Sequence, residues 1–273
     1  MNKIIDIDKL FESYMRKYVA EHSGKYTEDE WYEKLPDVYA EFESTPSREL
    51  GGRTPLDFYD DEEDLVGLWL KYVEKGVPLN DYLINAVVKK VDEEKIIEKL
   101  TEDADEEVLL SAVEILRRKG SKSAVNRYID LLFSKKVCHH VKDEMVEDLI
   151  DNADAVKDGL LDRISDAANV NSMFAEILSH CTVKDDRIKD ILLKGLTKGD
   201  KVPEYAAYLT FYDDESCLDK MTEYLDTLTD YVSYKELKIA VEALGGYVED
   251  DKDFSGDKNY IKIKTAKDDS DKD

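Results

Sequence analysis

Apolar residues recur every 32 positions along the middle of the chain, between Glu107 and Gly246. The positions that recur form five columns, each of which steps along the chain by 32 residues. The first two columns lie four residues apart, and the other three are separated from one another by one, three and four residues, so each set occupies one face of a helix. The pattern predicts two amphipathic helices in every repeat. Leu131, one position outside the columns, is expected to matter less for stability. The columns are Leu109, Val141, Met173, Tyr205, Leu237; Val113, Met145, Ile177, Leu209, Val241; Tyr128, Leu160, Leu192, Tyr224; Ile129, Leu161, Leu193, Leu225; and Leu132, Ile164, Leu196, Leu228.

Self-similarity at such a period is typical of repeat proteins. We therefore expect an all-α fold, an α-solenoid (superhelix) of antiparallel helix pairs with a 32-residue repeat. About four and a half repeats fill residues 103–246. Residues 1–102 contain amphipathic segments outside the register and are expected to form an irregular helical layer over the first repeat. Residues 247–273 are highly charged and are expected to form a partly disordered tail.

The first hundred residues contain two segments whose sequence favours a helix start or a turn. The segment Thr27-Glu28-Asp29-Glu30 is a capping-box pattern, which predicts a helix start. The apolar stripe that follows contains Pro36, so this helix is expected to be kinked or split there. The loop Thr45–Pro55 carries a glycine pair and a Thr-Pro step, which favour a turn followed by a helix cap. A further role for residues 50–55 stays open.

Helix pairs with a period near thirty and apolar stripes facing a common core resemble the HEAT-repeat α-solenoid, an armadillo-like architecture. Two segments also resemble uncharacterised bacterial HEAT-repeat proteins: TPSRELGGRTP at 45–55 and YKELKIAVEALGG at 234–246. The resemblance implies the solenoid fold. It implies no activity and no functional residue, because that group has no established activity.

The formal net charge of −25 limits the classes of partner. Nucleic acids and anionic membranes attract clustered lysine and arginine, so neither is expected as a partner. No apolar run approaches the ~20 residues that span a bilayer. Three cysteines, an odd number at wide spacings, indicate no disulfide framework, and a cytoplasmic location is expected.

Two clusters have the residue types of a metal site, Cys138-His139-His140 and His180-Cys181. Their places in the repeat put one at the start of a helix and the other at the end of the next parallel helix. At 1.5 Å per residue this separates them by roughly 15–20 Å, too far for one ion. We therefore expect no metal site. Carboxylates are too numerous for their proximity to indicate a catalytic pair, and no catalytic residue or cofactor is predicted.

The outward face of the second helix in each repeat is the candidate binding surface. Such faces line the concave side of a HEAT-like array, where a protein or basic peptide would bind. This predicts a non-catalytic interaction scaffold or adaptor. The alternative is an enzyme or enzyme accessory protein with a small-molecule pocket between the N-terminal helices and the repeats. The oligomeric state stays open. The candidate partner-binding residues are Asp130, Asp158, Asp162, Asp190, Lys194 and Asp226.

The charge gives a first testable prediction. Because the sequence offers no basic stripe to replace counterions on a phosphate backbone, the protein should bind neither DNA nor RNA at physiological salt. A gel-shift titration at micromolar protein with duplex DNA and single-stranded RNA measures this. A shift that weakens as salt rises would contradict the prediction.

Overall fold

A computed structural model of the chain describes residues 4–164, 171–249 and 252–270. Within these ranges every regular element is a helix, and the only β-type pairing is an isolated bridge between Ser47 and Arg53. The predicted all-α class is therefore confirmed. Two compact units are present, Met1–Lys142 and Asp143–Asp273, and helix α8 (His139–Ile150) contains the boundary between them.

The first unit contains seven further described helices. Each of the helices α3, α4 and α6 contributes four or five buried apolar side chains to its interior. Helices α3 and α4 both pack against α6, and α5 packs against it as well. The helices are α1 Ile7–Glu21, α2 Glu28–Ser44, α3 Leu65–Glu74, α4 Asp81–Lys90, α5 Glu93–Ile97, α6 Glu106–Lys119 and α7 Val125–Phe133.

In the second unit, helices that are two places apart in the chain pack against each other, and so do several that are consecutive. Helix α12 packs against α10, α11 and α14, and α13 packs against α11 and α14. The described helices are α9 Ala153–Leu161, α10 Ser172–Ser179, α11 Asp186–Lys198, α12 Val202–Tyr212, α13 Leu218–Thr227, α14 Tyr231–Ala243 and α15 Lys258–Ser270, with a 3-10 turn at Glu215–Cys217. The last helix lies in the segment 247–273, outside the repeat columns.

The apolar columns are buried. Of their members, only Met173, Ile164 and Tyr224 are half-buried, and all the others are buried. Leu131, one position outside the columns, is only 2% exposed, so the expectation that it matters less is wrong. The apolar side of α7 is wider than three columns, because Leu131 lies beside Leu132 at the C-terminal end of a short helix.

Helix α2 begins as the sequence predicts. Thr27 Oγ1 accepts the Glu30 N–H at 3.4 Å, and the Thr27 N–H donates to Glu30 Oε2 at 2.7 Å, which completes the capping box. The helix then continues through Pro36 to Ser44, so the expected split does not occur. Proline has no N–H to donate to the Tyr32 carbonyl, so the helix lacks one backbone hydrogen bond at this point.

A chain of buried hydrogen bonds anchors the N-terminal segment of the first unit. Asn80 Nδ2 donates to Tyr59 Oη at 3.1 Å, and the Tyr59 and Tyr72 hydroxyls lie 2.9 Å apart. Tyr72 Oη accepts the Ile5 N–H at 3.0 Å and donates to the Ile5 carbonyl at 2.9 Å. Tyr72 uses its single proton on the Ile5 carbonyl, so Tyr59 donates to Tyr72. Each of the hydrogen-bonding groups named in this series therefore has a partner.

Lysine side chains that are distant in the sequence donate hydrogen bonds to carbonyls at the C-terminal ends of three helices. Lys119 Nζ donates to the Val88 and Val91 carbonyls at the end of α4, at 2.6 and 2.9 Å. Lys252 Nζ donates to the Asp226 carbonyl of α13 at 2.8 Å, and Lys184 Nζ donates to the Tyr212 carbonyl of α12. These carbonyls have no partner within their own helix and form the negative end of its dipole, so a cation there stabilises the helix.

Burial of the columns predicts the effect of truncating one of their members. Leu160→Ala in α9 removes a side chain that is 0% exposed and is expected to lower the free energy of unfolding by about 2–5 kcal/mol. Ile239→Ala in α14, where the side chain is 50% exposed, is the control and should cost less than about 1 kcal/mol. Denaturant midpoints for both variants measure the difference. Equal shifts would show that the columns do not form the core.

Candidate functional site

All six candidate partner-binding residues have exposed side chains. Asp130 lies on α7 of the first unit, and the other five lie in the second unit. Asp158 is on α9, Asp162 is the C-cap of α9, Asp190 and Lys194 are on α11, and Asp226 is on α13. Within the second unit the exposed face of α9, α11 and α13, called here the second-helix face, therefore carries the side chains that the repeat pattern placed there.

A guanidinium group connects α9 with the start of α11. Arg187 Nη2 lies 3.1 Å from Asp158 Oδ1 and 2.8 Å from Asp185 Oδ2. Asp185 is the N-cap of α11, and its Oδ1 also accepts the Arg187 N–H at 2.9 Å. The hydrogen bonds from Arg187 lower the pKa of Asp185 to about 2, so this carboxylate stays ionised at any physiological pH. Asp158 is consequently paired rather than available as an isolated negative charge.

A groove of about 470 Å³ lies between α11 and α13. Its base is apolar, from Leu193 and the half-buried ring of Tyr224, and its rims carry charges of both signs. Lys194 Nζ lies 2.6 Å from Asp190 Oδ2, so the two predicted residues on α11 are paired with each other. Burial, together with nearby Asp230 and Asp200, raises the pKa of Tyr224, which keeps its phenol protonated as a hydrogen-bond donor. The lining residues are Asp190, Leu193, Lys194, Thr197, Lys220, Glu223, Tyr224 and Thr227.

Asp226 belongs to a second groove, of about 400 Å³, at the end of α13. Tyr247, which is 82% exposed, and Glu249 form its outer side. Lys252 lies across its inner side, with Nζ 5.3 Å from the centre of the Tyr234 ring and 2.8 Å from the Asp226 carbonyl. The groove therefore offers the carboxylates of Asp226 and Glu249 beside an exposed aromatic ring.

The second-helix face is mixed in charge, whereas the repeat pattern indicated an acidic one. Lys220 and Glu223 in the first groove, and Tyr247 and Glu249 in the second, are absent from the sequence-based set. No signal in the columns could have found them. Lys220 and Glu223 do not recur at 32-residue steps, and Tyr247 and Glu249 lie beyond the last column.

The cysteines of the second unit have the environment of core residues. Cys181 and Cys217 are buried, and burial raises the pKa of each thiol to about 11. Both thiols are therefore protonated at neutral pH and are poor nucleophiles.

In the first unit, Cys138 is exposed, and Nδ1 of His140, two residues later, lies 3.2 Å from Glu106 Oε1. Among the described residues, no group of three or more Cys, His, Asp or Glu side chains is placed to hold a metal ion.

No helix in the described ranges is both long enough and apolar enough to cross a bilayer. Comparison of the chain with protein-family models, with curated proteins and with solved structures gives no match. Function is accordingly inferred from the geometry of the second-helix face.

The N-cap of α11 gives a pH-dependent prediction. Asp185→Ala removes a capping carboxylate and should lower the free energy of unfolding by about 0.5–2 kcal/mol near neutral pH. The pKa of Asp185 is about 2 in the folded protein and 3.8 ordinarily, so its stabilisation is complete above the ordinary value. It is lost as the pH falls from there towards the folded value, and the variant and the wild type should converge.

Denaturant titrations at neutral pH and near pH 3 measure this convergence. Asp186→Ala is the matched control, because its side chain is 93% exposed and Asp185 remains the N-cap. The control should stay close to the wild type at both pH values. A penalty for Asp185→Ala that stays constant over the acid range would contradict the role assigned to the carboxylate.

Proposed function

We propose that this protein is a non-catalytic interaction scaffold or adaptor, a HEAT-like α-solenoid that binds another protein through its second-helix face. The cytoplasmic location expected from the cysteine content is part of the proposal. The observation that carries it is the α11–α13 groove, where the exposed faces of two successive second helices meet over an apolar base. A groove with an apolar base and charged rims suits a protein segment that combines both kinds of side chain.

Contacts in the second unit support the solenoid part of the proposal. Each helix pair of a solenoid packs on the next, so helices two places apart in the chain should touch. Helix α12 contacts α10 and α14, and α11 contacts α13. Ile177, Leu209 and Val241, which belong to one apolar column and lie on α10, α12 and α14, are all buried. This is the contact pattern that stacked helix pairs produce.

The charges favour a basic peptide or helix as the partner. Asp162 is exposed on α9, and Asp226 lies with Glu249 in the second groove. Asp158 and Asp190 are already paired with cations, so they add less. A lysine or arginine of the partner would fit beside Asp226, Glu249 and the Tyr247 ring, where carboxylates and a π face both attract a cation. Such complementarity acts mainly on association rate and specificity.

The alternative function requires a small-molecule pocket between the N-terminal helices and the repeats. The first unit contains a groove of about 490 Å³ whose lining comes entirely from residues 62–99, within the N-terminal layer itself. Its walls are charged, with Glu62, Lys90 and Lys95 among them. Small-molecule sites are mostly apolar and enclosed, so this groove does not support the alternative.

Charge reversal on the second-helix face tests the proposal. The double variant Asp162→Lys, Asp226→Lys should capture at least about tenfold less of its partner from source-cell extract than the wild type. Its helical circular dichroism and melting temperature should be nearly unchanged, because both side chains are exposed. A photo-reactive residue at Glu223, in the α11–α13 groove, should cross-link the same partner.

The matched control is Glu204→Lys, Glu242→Lys, which makes the same change of charge on the exposed sides of α12 and α14. It should retain capture. If both double variants lose the partner equally, the effect belongs to net charge and the binding face is not the one proposed. If neither loses it and the cross-link at Glu223 fails, the partner binds elsewhere.

A further inference from the structure

Helices α1 and α2 form a hairpin whose interior is aromatic. The Phe11 ring centre lies 4.9 Å from that of Tyr39 and 5.2 Å from that of Phe42, and the Tyr18 and Trp31 rings meet edge to face at 6.3 Å. Most of these rings are only half-buried. Within the two helices, only Ile7, Val38 and Phe42 are buried, so the described remainder of the first unit covers the hairpin at its base and leaves its outer part open.

One side of the open part carries a stripe of exposed apolar side chains. On α2 the stripe contains Tyr32, Leu35 and Tyr39, with exposed fractions of 71%, 42% and 37%. Their spacings of three, four and seven put them on one face of the helix. On α1, Val19 is 41% exposed. At 100° per residue in two antiparallel helices, Val19 falls on the same side of the hairpin as Leu35.

The base of this side is already an interface with another helix. The Tyr82 hydroxyl of α4 donates to Glu43 Oε1 at 3.1 Å and lies 3.1 Å from Tyr39 Oη. Towards the tip, nothing in the described ranges takes the place of α4, and Leu35, Tyr32 and Val19 face solvent. The uncovered stripe is therefore the continuation of a surface that packs against a helix.

The α2 edge of the stripe is acidic. Helix α2 contains seven acidic residues and one lysine. Glu28 lies within the angular range of the stripe, and Asp29 and Glu43 lie at its outer edge, as successive turns of 100° place them. The lysine, Lys34, is on the other side of the helix and is paired with Asp37 at 3.0 Å.

Charge decides which occupant fits this surface. A second copy of the chain would bring its own acidic edge against this one, and each copy carries a net charge of −25. Like charges facing each other across an interface are unfavourable. A helix with an apolar stripe edged by lysine or arginine instead satisfies both the rings and the carboxylates.

We propose that the tip of the α1–α2 hairpin docks a basic amphipathic helix of a partner protein, which packs on Val19, Tyr32 and Leu35 and places its cations beside Glu28 and Asp29. This surface belongs to the first unit and does not depend on the function proposed for the second-helix face. The uncovered Tyr32 and Leu35 are three residues apart on one face of α2, beside Val19 of α1, and tyrosine is a common interface anchor.

A designed peptide tests the proposal directly. The probe is a fluorescein-labelled helix of about 18 residues, with leucines at i, i+3, i+4 and i+7 and lysines elsewhere. Fluorescence anisotropy with the full chain should give micromolar binding, accompanied by a change in Trp31 emission. Trp69 is 0% exposed and should not contribute to that change.

Two control peptides separate the apolar contribution from the charge. One keeps the leucines and replaces every lysine with glutamate, and the other has the same composition in an order that forms no apolar face. Both should bind at least about tenfold more weakly than the probe. Equal binding of the scrambled peptide would reduce the interaction to attraction by net charge and overturn the proposal.

Variants of the protein locate the site. Tyr32→Ala with Leu35→Ala should weaken probe binding at least about tenfold and keep the helical circular dichroism, since both side chains are exposed. Leu56→Ala is the control, because Leu56 is 54% exposed in the same unit and lies outside the hairpin, and it should bind the probe normally. The second-unit variant Asp162→Lys, Asp226→Lys should also bind normally, which separates this test from that of the proposed function.

The other occupants are outcomes that would refute the proposal. Sedimentation that shows a dimer, lost in the Tyr32→Ala, Leu35→Ala variant, with no probe binding, would assign the stripe to a second copy. Zwitterionic lipid vesicles that capture the wild type but not this variant, without probe binding, would assign it to a membrane. Probe binding that is unchanged in the variant would place the site elsewhere.

Discussion

The structure depends on the burial of apolar helix faces against neighbouring helices. Most of the described helices contain fewer than 15 residues, lengths at which an isolated helix is marginal in water. Such helices are stabilised mainly by the packing of their apolar faces on one another. In the second unit α12 shows how close this packing is, because a Cβ atom at Gly195 of α11 would lie 2.0 Å from Tyr205 Cε1. No side chain larger than that of glycine fits there.

Polar interactions with helix ends complement the apolar packing. Lys119, Lys184 and Lys252 each donate to carbonyls between 26 and 31 residues away, close to one repeat length. Apolar packing alone tolerates some sliding of one helix along another, whereas an ammonium group on the last carbonyls specifies where one helix ends relative to the next. Buried tyrosine hydroxyls act similarly. Tyr212 Oη accepts the Asp185 N–H and donates to the Asp185 carbonyl, as Tyr72 does with Ile5.

The features of the fold that can be predicted from the sequence are those that depend on the periodicity of apolar residues. The columns identify buried positions because burial of a helix face requires the same spacing wherever the helix lies. The prediction for Leu131 is wrong because the width of an apolar face depends on what surrounds the helix. Helix α2 also continues through Pro36, because a proline removes only one backbone hydrogen bond and the packing of the rest of the helix is not set by the local sequence.

The candidate site shows the same division. Exposure of Asp162 and Asp226 follows from their position opposite the columns, and the structure agrees. The pairing of Asp158 with Arg187, and the presence of Lys220 and Tyr247 in the two grooves, depend on contacts between residues that no period relates. The charge of a surface is therefore less predictable from a repeat than its location.

The net charge of −25 acquires a structural meaning once the contacts of the basic residues are considered. Lys90, Lys119, Lys142 and Lys252 donate to backbone carbonyls, and Lys136 joins Glu102 and Asp103 at 2.9 and 2.8 Å. These cations connect parts of the fold to one another. Many acids instead lie at helix starts, where they favour the positive end of the helix dipole and remain exposed.

The different positions of the basic and acidic side chains affect the charge of the protein surface. Cations engaged with carbonyls lose part of their ability to attract anions. Carboxylates at exposed helix starts, such as Glu28 and Asp29, remain free to meet a cation beside an apolar stripe. Acidic residues at exposed helix starts therefore serve two purposes, because they favour the positive end of the helix dipole and also leave negative charge on the surface, which opposes the approach of like-charged surfaces.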